Sequence, residues 1–489
     1  MCPGCCRQVS RRPIFSKGRA VNTTKFEISK GIGRVSGAIH REMRSALRFW
    51  GTLGICAVLA ACGGGGGGGG NTAAAPPAQN NTVLGSTTIT QVIATAAANT
   101  AQITVTTAPA PAGVVVANVP FVSVTVCVPG TTNCTTVDHV QVDTGSSGFR
   151  VLASALTGLP GGVSALTATV PPGGAAGSEL GECMQFADGI AFGGVRQADV
   201  SIGSEKASSL NIEVIGDAAA VQPGTGSAGT SSDPTVQSQL NLCASPGTQD
   251  TAQTLHANGV LGVGTSPTDC IFCAAGQNVS PMYYTCTGST CSNIAGTPLS
   301  TSLQVQNPVS KLPVDNNGVI VELPAVPATG AATAIGMLVF GIGTQTNNAL
   351  GNAQVFTTDN VGNVKTVFNG TTLTDSFFDS GSNSMFFPSS IATCADATDF
   401  YCPTSVQSLS AMVEGTNGIN ATLNFSVGNT DTLTASGNLA FNNQAGSSAT
   451  FFSGNQTFDW GLPAFYGRNM YTAISGATTP GGAGPYYAF

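Results

Sequence analysis

Val142-Asp143-Thr144-Gly145-Ser146-Ser147-Gly148 and Phe378-Asp379-Ser380-Gly381-Ser382-Asn383-Ser384 are two copies of one pattern. Each is an Asp-(Thr/Ser)-Gly-Ser step between two apolar runs. Val140-Gln141-Val142 and Phe149-Arg150-Val151-Leu152 flank the first, and Phe377-Phe378 and Met385-Phe386-Phe387 flank the second. A single step of this kind reads equally well as a turn between strands. Two copies 236 residues apart (379 − 143) indicate two similar lobes, each delivering one carboxylate to a shared site. Two carboxylates at short range share a proton, because both cannot ionise cheaply.

The rest of the composition suits such an architecture. Gly, Ser, Thr, Asn and Val dominate, in many short β-type runs broken by Gly, Asn and Pro, which predicts an all-β fold. The chain carries 17 basic and 24 acidic residues, a net charge of −7. Eleven of the basic residues precede Cys62; the body of the chain after Cys62 holds six basic against 22 acidic residues, a net of −16. That body lacks the basic surface that neutralises phosphates, so nucleic acid is not an expected partner.

The first 61 residues read as processing signals. Met43-Arg44-Ser45-Ala46-Leu47-Arg48 is a short basic segment, Phe49 to Leu59 is apolar, and Leu59-Ala60-Ala61-Cys62 closes the run. The apolar stretch is too short for a spanning helix and reads as a secretory signal over 43–61, with 1–42 an upstream extension. The Leu-Ala-Ala-Cys ending resembles a bacterial lipobox, which implies cleavage before Cys62 and acylation of its thiol. Gly63 at the next position, by resemblance to bacterial sorting rules, favours the outer membrane. Eight glycines, Gly63 to Gly70, begin a tether over 62–112. Gln102-Ile103-Thr104-Val105, inside that stretch, has the pattern to add a strand.

Ten cysteines come after Cys62, at 127, 134, 183, 243, 270, 273, 286, 291, 394 and 402. An even count in an exported chain reads as disulfides. Cys127 and Cys134 flank a hairpin tip, and Cys394 and Cys402 close a short loop, so these two pairs are expected to be bridged. Cys270-Ile271-Phe272-Cys273 has the spacing of a redox pair or half a zinc site. No helical pattern and no suitable histidine accompany it, so neither metal nor cofactor is expected.

Further segments repeat around the Asp steps, and together they resemble the pepsin-like aspartic proteases. Asn258-Gly259-Val260-Leu261-Gly262-Val263-Gly264 is similar to that family's segment behind the first Asp loop. Met337-Leu338-Val339-Phe340-Gly341-Ile342-Gly343 resembles the strand that opens the second lobe. Gly461-Leu462-Pro463-Ala464-Phe465-Tyr466-Gly467-Arg468-Asn469-Met470-Tyr471 resembles the segment behind the second Asp loop. The similarity covers about Val114 to Ile474, with insertions at 217–250 and 265–300. The chain also resembles an uncharacterised family of proteobacterial lipoproteins. The pepsin-like resemblance implies a bilobal fold, with lobes at 113–310 and 311–489 and a central cleft holding Asp143 and Asp379. It implies that Thr144 and Ser380 cross-link the two loops, that Ser146 and Ser382 bond the outer carboxylate oxygens, and that Gly145 and Gly381 permit the tight turns.

Gln185 to Gly203 reads as a hairpin with Asp188-Gly189 at its tip. By the same resemblance it is the flap that closes over substrate. Phe186 stands where the family has tyrosine and Ala187 where it has glycine, so the flap hydroxyl is missing. The expected function is a lipid-anchored aspartic endopeptidase acting on polypeptides at the bacterial cell envelope. The alternatives are a binding module with the same fold and a vestigial site, or a structural adhesin, which leaves the duplicated Asp loops unexplained. Two histidines in the mature chain and no His-Glu-x-x-His set argue against a serine or zinc hydrolase.

Overall fold

The structure is a computed structural model that describes residues 91, 93–218, 243, 249–275, 282–288, 290–294, 296–452 and 454–489, and the backbone of 82–84. It is all-β and two-lobed, and each lobe supplies one of the paired Asp loops. The described strands form a 16-stranded sheet, an 8-stranded sheet and a small two-stranded ribbon.

The strands arise from alternation and turn chemistry. Pro120–Cys127 buries all three of its Val side chains and exposes Ser123 between them. Its hairpin partner is Cys134–Asp143, with Cys127 opposite Cys134. Asn369-Gly370 joins Val364–Phe368 to Thr371–Asp379, with both residues at positive φ, as a two-residue hairpin turn requires.

The lobes are joined by strand pairing as well as by chain connection. Thr100–Val105 lies antiparallel to Ala334–Phe340 over its whole length and touches Pro120–Cys127 on its other side. Ile103 and Val105 are fully buried. The β-pattern at Gln102–Val105 is therefore a bridging strand of the fold, and 82–84 pairs in parallel with Asn420–Val427. Folded structure thus begins ahead of residue 113, inside the stretch expected to be tether.

Each Asp strand is locked by a parallel neighbour in the same way. Gly259–Val263 runs parallel to Cys134–Asp143, with Gly262 opposite Asp143, and antiparallel to Ser147–Leu152. Asp459–Gly461 runs parallel to Thr371–Asp379, with Gly461 opposite Asp379, and antiparallel to Met385–Phe387. Both glycines are required by close approach. A Cβ on Gly262 would lie 2.7 Å from the Gly148 carbonyl oxygen, and one on Gly461 would lie 2.1 Å from that of Ser384. Behind the second loop the core is aromatic: Trp460 stacks on Phe458 at 4.0 Å and lies parallel to Phe378 at 5.9 Å. The Trp460 Nε1–H donates to Thr366 Oγ1 at 3.0 Å, so its polar atom is satisfied in the core.

Candidate active site

The two Asp loops meet at the lobe boundary and are bound to one another symmetrically. Thr144 N–H donates to Ser380 Oγ at 3.1 Å, and Ser380 N–H donates to Thr144 Oγ1 at 2.9 Å. The Thr144 hydroxyl donates to the Phe378 carbonyl at 3.1 Å, and the Ser380 hydroxyl to the Val142 carbonyl at 2.8 Å. All four groups are buried, where a satisfied network is rigid and a broken one is costly.

Each carboxylate is cradled by its own loop. Asp143 Oδ1 accepts from Gly145 N at 2.8 Å and Ser146 N at 3.1 Å, and its Oδ2 accepts from the Ser146 hydroxyl. Asp379 Oδ1 accepts from Gly381 N at 2.7 Å, and its Oδ2 from the Ser382 hydroxyl at 2.9 Å. The two loops bring the carboxyls together, since a Cβ on Gly145 would lie 2.5 Å from Asp379 Cγ, and both Asp side chains are fully buried. Burial, then the charges of Asp143 and Asp459, push Asp379 well above the usual carboxyl range. That direction favours a proton on Asp379.

A third carboxyl stands beside them, one that the sequence motifs do not mark. Asp459 Oδ2 lies 2.6 Å from Ser382 Oγ, the hydroxyl that also contacts Asp379. Asp459 is opposite Phe377 in the parallel pair, two residues back from Asp379, so strand alternation puts it on the face of Asp379. It is fully buried, and its Oδ1 has no hydrogen-bond partner. Its trace in the sequence is an Asp that interrupts the apolar run Phe458-Asp459-Trp460.

A second buried charge cluster ties the first Asp loop to the strand Glu179–Gln185. The Arg150 guanidinium is fully buried and reaches Glu182 at 2.5 Å and Asp269 at 3.3 Å. Glu213 lies 3.2 Å from Arg150 Nε without hydrogen-bond alignment, so that contact is Coulombic only. Arg150 also donates to the Ser147 carbonyl at 3.1 Å, and Tyr283 donates its hydroxyl to Asp269 at 2.7 Å. One cation faces three carboxyls. Burial and the neighbouring Glu182 push both Glu213 and Asp269 well above the usual range, against the pull of Arg150.

Glu179–Gln185 and Ile190–Ile202 form the hairpin expected of the flap, with Gln185 opposite Ile190. Phe186 N–H donates to the Gly189 carbonyl at 2.8 Å, so the tip is Phe186-Ala187-Asp188-Gly189. Phe186, Asp188, Gln141, Val260, Gly381 and Asn383 surround a hollow with about 20 Å³ of room, enough for one water. Gln141 closes it below, donating from Nε2 to the Gly381 carbonyl at 2.8 Å.

Five disulfides are present: Cys127–Cys134, Cys394–Cys402, Cys183–Cys243, Cys270–Cys273 and Cys286–Cys291. The first two are the pairs expected from sequence. Among the described residues, Cys394, Cys402 and Asp431 have metal-ligand spacing, but the two sulfurs are bonded to each other and offer no thiolate. Among the described residues no helix is long and apolar enough to cross a membrane. Disulfides persist in oxidising compartments and fit an exported protein. Cys62, the signal over 43–61 and the glycine run lie outside the described residues.

Fold and site together define an all-β, two-lobed protein with a paired-aspartate centre. Residues 95–489 match the family described as "Protein of unknown function (DUF3443)", and the chain belongs to that family. No curated protein matches it. Among solved structures it is similar to the aspartic proteinase from Irpex lacteus, at 15% identity and a TM-score of 0.39, over 79% of this chain and 96% of that one.

Proposed function

We propose that this protein is an aspartic endopeptidase held at the cell envelope by a lipid on Cys62. The observation that carries the reading is the meeting of Asp143 and Asp379 across two cross-linked loops, each carboxyl cradled by its own glycine N–H and serine hydroxyl. Asp143 accepts three such bonds and Asp379 two, which favours the negative charge on Asp143. The ionised carboxylate takes a proton from a bound water as its oxygen attacks the peptide carbonyl carbon. The protonated carboxyl gives its proton to the carbonyl oxygen, leaving a neutral tetrahedral diol. Collapse of the diol returns one hydroxyl proton to a carboxylate, while the other carboxyl protonates the departing amine. No covalent enzyme intermediate forms. Because both carboxyls are buried, a polypeptide reaches them only when the tip at Phe186–Gly189 lifts.

The purified domain, incubated with a denatured protein between about pH 3 and pH 7, tests this reading. Cleavage should peak on the acid side, be blocked by pepstatin, and disappear in Asp143→Asn and Asp379→Asn. Pepstatin is expected to bind because its central hydroxyl replaces the attacking water. A folded wild type that neither cleaves nor binds pepstatin supports the second reading, a binding module. Phe186 favours that alternative, since its ring covers the site without supplying a hydroxyl. For the anchor, mass spectrometry of membrane-extracted protein should find no peptide from 1–61. A Cys62→Ala protein that still partitions fully with membranes rejects it.

A further inference from the structure

We propose that Asp459 is a third, proton-holding carboxyl of this centre, a positioning residue that acts on Asp379 through Ser382. Ser382 touches two carboxyls, so one of them must carry a proton there; Asp459, whose other oxygen has no partner, keeps it, while the proton of the Asp143–Asp379 pair is shared between those two carboxyls. Ser382 Oγ lies 2.9 Å from Asp379 Oδ2 and 2.6 Å from Asp459 Oδ2. A hydroxyl carries one hydrogen and can donate to only one of these oxygens. If both carboxylates were ionised, one short contact would set two bare oxygens against each other. The contacts are satisfied when Asp459 keeps its proton and donates to Ser382 Oγ, while Ser382 donates to Asp379.

The surroundings agree. Asp459 is fully buried, and its other oxygen is unpartnered, an arrangement that suits a neutral acid and penalises an anion. The titratable groups around it are Asp143, Asp379 and, from the C-terminal strand, Tyr487. No cation offsets them: the Arg and Lys ion pairs formed among the described residues involve Arg150, Arg196, Lys206 and Lys365, all with other acids. Burial and the proximity of Asp143 push Asp459 well above the usual range, against the Ser382 bond. Three carboxyls thus share two protons and one negative charge. By keeping the Ser382 hydrogen directed at Asp379, Asp459 fixes the orientation of that carboxyl, and it adds no second anion to the cleft.

The importance of this arrangement for turnover rests on the peptidase reading, but its test does not. Urea unfolding of the wild type and of Asp459→Asn is measured at a series of pH values from about 5.5 to 7.5. A carboxyl that is protonated when folded and ionised when unfolded makes the unfolding equilibrium rise about tenfold per pH unit. Asp459→Asn should remove one such tenfold factor per unit, with every other acid common to both proteins. Identical slopes overturn the proposal. The wild type alone gives a second readout: the Cγ chemical shift of Asp459 should stay at its protonated position from about pH 4 to pH 7. A carboxylate shift at pH 6 rejects the proposal. Both readouts stand if the protein cleaves nothing, so loss of the peptidase reading and loss of this one are told apart.

Discussion

Single atoms decide the chemistry of this centre, and three residues show how. Gly145 sits so close to the partner loop that a Cβ there would fall 2.5 Å from Asp379 Cγ. Gly145→Ala should therefore push the carboxyls apart, abolish pepstatin binding and destabilise the fold by roughly 1–3 kcal/mol, as overpacking does. Calorimetric titration and urea unfolding check both parts, and unchanged inhibitor affinity would contradict the geometry. Arg150 interrupts an apolar run, which is the sequence trace of its buried position. Arg150→Leu leaves three carboxyls facing one another without a cation, at a cost of about 3–5 kcal/mol near neutral pH. Urea unfolding of the variant beside the wild type checks this, and an unchanged midpoint would show that Arg150 does not hold the cluster together. Asp459 is visible in the same way, as one polar residue among Phe458, Trp460 and Gly461. Its partner is not legible in the sequence, because Ser382 and Asp459 are 77 residues apart and meet only through the parallel pairing with Thr371–Asp379.

Among the elements, legibility tracks locality. The Asp188-Gly189 turn, the Cys127–Cys134 hairpin and the Asp loops each combine a period-two pattern with turn residues a few positions apart, and each is readable. Thr100–Val105 reads from sequence only as an optional strand at the edge of a tether, because its partner Ala334–Phe340 lies over 200 residues away. Its full burial at Ile103 and Val105 depends on that non-local pairing. The bridge Cys183–Cys243, across 60 residues, likewise depends on non-local packing that spacing alone does not fix, whereas Cys286–Cys291 closes a hairpin as local as Cys127–Cys134. Two predictions belong here. Cys127→Ala with Cys134→Ala opens a hairpin loop and should cost about 2–3 kcal/mol in the chain-entropy account. A midpoint in urea identical to the wild type would assign that bridge no role in stability. Phe186→Tyr adds a hydroxyl at the flap tip with little change of volume. If the missing hydroxyl limits turnover, kcat should rise while urea stability stays level, and a fall in kcat would show that the apolar ring is needed where it lies.

At the scale of the whole molecule the duplicated Asp step is the dominant constraint, since two equivalent loops that cross-link can do so only between two similar lobes. Besides the two Asp loops the interior buries several further acids, and these set the pH dependence of folding. Asp379, Asp459, Glu213 and Asp269 are all pushed well above the usual carboxyl range, chiefly by burial, and Glu322 is pushed up to about 7. Below about pH 4 these groups are protonated in both folded and unfolded chains, and they cost nothing. As the pH rises above that, the unfolded chain ionises while the folded chain holds its protons. Each group then lowers stability by about 1.4 kcal/mol per pH unit until its folded value is reached, a window that for Glu322 closes near pH 7. Asp199 works the other way: it is buried but lowered overall by Lys206 and by the Ser209 and Gly130 N–H groups, so its contribution is lost as acid protonates it. The balance of six raised groups, Glu205 included, against one lowered group predicts a protein most stable in mild acid and weaker toward pH 8. Thermal unfolding followed by calorimetry at pH 5, 6, 7 and 8 should give a Tm that falls along the series, and a Tm that climbs from pH 5 to pH 8 would mean that the buried acids are ionised in the folded state. Mild acid is also where a shared-proton aspartate pair hydrolyses peptides, so stability and the proposed activity should fade together as the pH rises, the first measurable by calorimetry in protein that carries Asp379→Asn and has no activity to lose.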